Sequence, residues 1–99
     1  MKTVAEISQI LQAQKPLLSQ KYGIKAVGIF GSYRRGEQTE NSDLDILVDL
    51  EKPIHIDLLD FIQMENYLSD LFKIKVDVVI KENLKRRIGQ RILQEVVML

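Results

Sequence analysis

The chain has no cysteine. That excludes disulfides, thiolate zinc sites and thiol nucleophiles, and leaves the redox compartment open. It has no net charge either: 14 Lys and Arg balance 14 Asp and Glu, so no general polyanion-binding field is expected and nothing points to nucleic acid as a partner. The single histidine, His55, has no ligand-spaced companion and reads as a loop residue. No apolar run approaches membrane-spanning length and the N-terminus lacks an apolar signal core, so no membrane association is expected and the cytoplasm is the expected compartment. At 99 residues, the expectation is one domain over residues 1–99, with a single core and no room for a separate substrate-binding domain. A partner must then supply whatever recognition is missing.

What is present is concentrated in residues 29–50, IFGSYRRGEQTENSDLDILVDL. In Asp43–Leu50 the apolar residues Leu44, Ile46, Val48 and Leu50 alternate with Asp43, Asp45 and Asp49, the period of a strand with one buried face. Asp43 and Asp45 therefore share the opposite face, roughly 6–7 Å apart along the backbone. Two like charges so placed repel unless a cation lies between them. Hard oxygen ligands suit Mg²⁺, which also shares phosphate oxygens readily. Asp49 continues the acid face but lies further along the strand, too far to join them.

Upstream, the apolar run Ile24–Phe30 reads as a strand that enters a Gly31-Ser32 turn and a short helical segment through Tyr33, Arg34 and Arg35, stopped by Gly36. Free backbone N–H groups and the Ser32 hydroxyl would face an anion there, with Gly31 leaving room for phosphate to approach. Arg34 or Arg35 adds a cation. Ser42, just before the acids, either joins the metal surroundings or shapes the turn.

The remaining pattern is scaffold. Thr3 and Glu6 have capping-box spacing ahead of Val4, Ile7, Leu11 and Leu18, which predicts a helix from Thr3. Pro16 is expected to interrupt it and open a second helical segment that ends at Tyr22-Gly23. Asp57 is the N-cap candidate of a further helix with Leu58, Phe61, Ile62, Leu68, Leu71 and Phe72 on its apolar side. In residues 74–80 Ile74, Val76, Val78 and Ile80 alternate with Lys75, Asp77 and Val79, which predicts a third strand with Asp77 facing away from the core. Asn83 is a candidate cap for a last helix carrying Leu84, Ile88, Ile92 and Val96, with Lys85, Arg86, Arg87 and Arg91 mostly on its other side. The apolar tail Val96–Leu99 reads as an edge strand or a docking surface.

The pattern G-S-x-x-R-G, a short polar loop, then S-D-x-D and an apolar strand, here Gly31, Ser32, Arg35, Gly36, Ser42, Asp43 and Asp45, resembles the nucleotidyltransferases related to DNA polymerase beta. The short chain ending in RILQEVV is similar to the minimal nucleotidyltransferases, the antitoxins paired with HEPN-domain toxins. The resemblance implies an α/β (α+β) fold, a small mixed sheet of three to four strands covered by helices. It implies a third acid on a later strand, for which Asp77 is the candidate. It further implies two Mg²⁺ ions held by Asp43, Asp45 and Asp77, ATP as substrate with its outer phosphates on Gly31, Ser32 and Arg35, and transfer of AMP with release of pyrophosphate. Two ions about 3.5–4 Å apart stabilise the attacking and leaving oxygens of an in-line displacement. The acceptor it implies is a hydroxyl, a tyrosine, of the HEPN toxin, held in a hetero-oligomer. The alternative reading is a binding module that neutralises the toxin by occupying its surface. An enzyme acting on small molecules is a third reading, disfavoured because such chains carry an added domain.

Overall fold

The computed structural model describes residues 2–99. Helix α1 (Val4–Tyr22) begins at Thr3, whose hydroxyl accepts from the Glu6 N–H while the Glu6 carboxylate accepts from the Thr3 N–H. It ends at Gly23, in the left-handed conformation at φ 70°. Pro16 lies inside this helix and does not divide it, contrary to the expectation of two segments. The reason is phase: Ile7, Leu11, Leu18 and Tyr22 form one buried stripe that keeps the helical period across the proline. Their joint burial outweighs the roughly 3 kcal/mol cost of an interior proline.

Strand β1 (Ile24–Phe30), the short helix α2 (Gly31–Arg35), strand β2 (Leu44–Leu50), helix α3 (Leu58–Phe72), strand β3 (Val76–Ile80), helix α4 (Arg86–Glu95) and strand β4 (Val97–Met98) follow in order. The sheet order is β3-β2-β1-β4. β1 runs antiparallel to β2 and β4, and β2 is parallel to β3 through the α3 crossover. The sheet is therefore mixed, as expected, and the tail is an edge strand.

Helices α1 and α3 cover one face. There Val27 and Ile29 of β1, Leu44, Ile46, Val48 and Leu50 of β2, and Val76 and Val78 of β3 meet Ile7, Leu11 and Leu18 of α1 and Met64, Leu68 and Phe72 of α3. No polar or charged side chain is buried among the described residues. The α3 stripe is shifted from the expected one: Leu58 and Ile62 are exposed, and Met64 takes the central place. Asp57 does cap α3, in a reciprocal box with Asp60. The outer edge of β3 is closed by α3 itself, since the Ser69 hydroxyl accepts from the Val76 N–H at 2.9 Å and the Glu65 carboxylate from the Val78 N–H at 2.8 Å. A sheet edge so satisfied cannot template a further strand.

The last helix also departs from expectation. Asn83 does not cap it; Lys81–Asn83 form a single 3-10 turn, and α4 opens after Lys85 with no side-chain cap. Leu84 stays extended and folds beneath the helix against Gly89, where an added Cβ would lie 3.0 Å from the Leu84 Cβ. Gly89 is consequently the buried position of α4, and Ile88 points outward.

Candidate active site

Sheet register brings the site together. Asp45 on β2 is the parallel partner of Asp77 on β3 and the antiparallel partner of Phe30, the last residue of β1. Two residues directly opposite in neighbouring strands project to the same face. Asp45 and Asp77 thus stand side by side, and the turn at Gly31 leaves β1 beside them. Asp43 precedes β2 by one residue; the neighbouring Leu44 N–H is anchored to the Lys75 carbonyl at 2.8 Å. The Asp43 carboxylate lies 3.8 Å from the Lys75 ammonium, a loose and exposed pair of little energetic weight. Asp49 sits opposite Ala26, far down the strand, and pairs with Lys81 at 3.8 Å.

The electrostatics single out Asp45. Burial, then repulsion from Asp77 and Asp43 and more weakly from Glu95, pushes its carboxyl up to about 6 against the opposing pull of Arg35. A carboxylate whose ionisation is opposed by burial and by like-charged neighbours has a standing demand for positive charge. The donor set of three carboxylates matches Mg²⁺, which takes hard oxygens. Among the described residues no three such side chains already converge on a point.

The turn is shaped around Asp45. Gly31 has φ 77°, and a Cβ there would overlap the Asp45 carboxylate, so both the backbone conformation and the close approach demand glycine. Ser32 is half-buried in the first turn of α2, and Gly36 ends that helix at φ 70°. The Ser42 hydroxyl accepts from the Thr39 N–H at 2.8 Å, so in this structure it shapes the turn.

Sequence reasoning missed Glu95. Its carboxylate accepts from the Gly31 N–H at 2.7 Å and from the Arg35 guanidinium, and its carbonyl oxygen accepts from the Arg34 guanidinium at 3.0 Å. Arg35 also donates to Glu37 at 2.6 Å. Burial would raise the Glu95 carboxyl, but hydrogen bonds from Arg35 and Gly31 and the charges of Arg35 and Arg34 bring it below its ordinary value. One signal was available: an acid in the last turn of a helix opposes the macrodipole and calls for an outside cation. An open pocket of about 500 Å³ borders this contact, lined by Gly31, Arg35, Ile88, Arg91 and Glu95 among others, within the size range of ligand clefts.

Residues 11–98 match the nucleotidyltransferase domain family. The chain belongs to that family. Within it, this is an adenylyltransferase of the minimal kind. It is 47% identical over 97 residues to the protein adenylyltransferase MntA of Thermococcus cleftensis, spanning 98% of this chain and 96% of that one. It is 48% identical over 95 residues to a candidate protein adenylyltransferase of Methanocaldococcus jannaschii, spanning 96% of this chain and 95% of that one. A solved minimal nucleotidyltransferase superposes with a TM-score of 0.79 at 31% identity, covering 99% of this chain and 97% of that one. A toxin-antitoxin crystal structure with AMP-PNP superposes with a TM-score of 0.73 at 23% identity, covering 92% of this chain and 69% of that one, a likeness of fold alone.

Proposed function

We propose that this protein is a cytoplasmic, single-domain antitoxin that transfers AMP from ATP to a hydroxyl, a tyrosine, of a HEPN-domain toxin held in a hetero-oligomer. The observation that carries this reading is the in-register pair Asp45 and Asp77 beside the Gly31 turn, with Asp45 raised to about 6 by burial and its acidic neighbours. Kinship with MntA supports protein as the acceptor, and the toxin-antitoxin complexes that share the fold support a toxin as that protein.

In this reading Asp43, Asp45 and Asp77 would hold Mg²⁺, two ions in all, and the metal would supply charge neutralisation of the triphosphate and a lowered pKa for the acceptor hydroxyl. Gly31, Ser32 and Arg35 receive the outer phosphates. The acceptor oxygen forms a bond to the α-phosphorus, the bond from that phosphorus to the α–β bridging oxygen breaks, and pyrophosphate leaves with that oxygen. The hydroxyl proton passes to Asp77, which serves as general base when the hydroxyl comes within about 3 Å.

The test is the intact mass of the protein that copurifies with this chain, after incubation with Mg²⁺ and ATP, for wild type and for Asp43→Asn/Asp45→Asn. Transfer predicts a gain of one or more AMP units with wild type alone. An unmodified partner, bound equally and neutralised by both forms, would establish the non-catalytic antitoxin instead.

A further inference from the structure

Two of the groups assigned above to the outer phosphates, Gly31 and Arg35, are already engaged. Both oxygens of the Glu95 carboxylate are committed, one to the Gly31 N–H at 2.7 Å and the other to the Arg35 guanidinium. The Arg35 Nε–H goes to Glu37, so the cation is shared between two carboxylates before any ligand arrives. A backbone N–H has one hydrogen to donate. A phosphate oxygen and Glu95 therefore cannot use Gly31 at the same time.

We propose that Glu95 is a built-in competing anion of the nucleotide site, a latch from α4 that occupies the triphosphate's place on Gly31 and Arg35 and must swing away when nucleotide binds. The proposal rests on the nucleotide-site reading given above. Two features of the structure agree with it. Glu95 is carried by α4, the helix whose one buried residue is Gly89, so its displacement disturbs none of the main core residues. The adjoining pocket borders the latch and is lined by Arg91, a cation that makes no ion pair among the described residues and can take up phosphate charge as Glu95 leaves. Nucleotide would then enter by exchange for one internal carboxylate.

A latch lowers apparent affinity by the fraction of molecules in which it is open; if about one in ten is open, removing it tightens binding about tenfold. The experiment is calorimetric titration of the full chain with α,β-methylene-ATP, whose α–β bridge cannot be cleaved by transfer, in Mg²⁺ at fixed ionic strength. Wild type is compared with Glu95→Gln, Glu95→Ala and Glu37→Gln, each confirmed folded by circular dichroism. The expected result is tighter binding by both Glu95 variants, on the order of tenfold, and a clearly smaller gain for Glu37→Gln, which frees charge on Arg35 but nothing on Gly31. Unchanged or weaker binding by the Glu95 variants overturns the latch while leaving the nucleotide site standing. Equal gains for Glu95→Gln and Glu37→Gln overturn it too, since general charge would then suffice. No binding by any form, wild type included, overturns the nucleotide site and the latch with it.

Discussion

Replacing Asp45 with asparagine should abolish transfer and make the metal-free protein more stable. The Asp45 carboxyl is raised from 3.8 to about 6 by burial and by Asp77 and Asp43. A raised carboxyl means the folded state binds a proton that the unfolded state has already released, so stability is lost as pH climbs from about 4 to about 6 and stays lost above. Taken at face value the shift corresponds to about 3 kcal/mol at neutral pH. Asp45 is only partly buried, and solvent screening reduces this to about 1–2 kcal/mol. Asparagine keeps the shape and removes the charge. For a chain of this size about 1 kcal/mol moves Tm by roughly 4–8 °C, so in EDTA at pH 7.5 the variant should melt at least several degrees above wild type. The pH dependence tests the cause. Near pH 4.5 wild-type Asp45 is mostly protonated, and the gap should close. Adding Mg²⁺ with α,β-methylene-ATP should then raise the wild-type Tm and leave the variant's little changed. A variant that melts at or below wild type in EDTA, or a gap of constant size from pH 4.5 to 7.5, would refute the argument that the site's acids repel one another in the fold.

Gly31→Ala places a side chain at φ 77° and against the Asp45 carboxylate; it should cost about 2 kcal/mol in urea denaturation and remove nucleotide binding, and a midpoint equal to wild type would show that the turn relaxes freely. Gly28→Ala sets a Cβ 2.6 Å from the Met98 sulfur and the Val96 methyl, and 2.9 Å from the Val97 carbonyl. It should push β4 off β1, read as faster hydrogen exchange of the Leu99 amide, which donates to the Val27 carbonyl at 2.9 Å, with β2 amides still protected; unchanged Leu99 protection would contradict it.

The shared acid face of the sheet was legible in the sequence because alternation fixes faces. Leu44 to Leu50 and Val76 to Ile80 each place their acids away from the apolar side, and two strands buried on the same helices must then present those acids together. The parallel register that makes Asp45 and Asp77 direct neighbours was not legible, since it is set by the α3 crossover. Local chemistry predicted the caps at Thr3 and Asp57 but misread Pro16 and Asn83. At Pro16 the unbroken phase of Ile7, Leu11 and Leu18 was a stronger signal than the breaker. At Asn83 a good capping residue lost to the packing of Leu84 against Gly89. The Glu95 contact joins residues 64 apart in sequence, and only its awkward place at a helix C-terminus hinted at it.

The division of labour between the two faces of the sheet explains how so short a chain can hold a destabilising site. All the large core side chains packed by α1 and α3 lie on one face, so most of the apolar burial lies away from the acids. Buried apolar area on that first face offsets the repulsion among Asp43, Asp45 and Asp77 on the other. On the acid face the fully buried Leu47 lies opposite Gly28, where β4 closes in because glycine leaves room for Val96 and Met98. Helix α4 is tied in beside it through Leu84, Glu95 and the arginines of α2. Apart from the Leu84 contact these ties are polar, and those of the Glu95 carboxylate end on the groups proposed to receive phosphate. A ligand that takes those groups therefore acts on the least buried helix of the fold, and the charge that costs stability in the free protein becomes the charge that binding compensates.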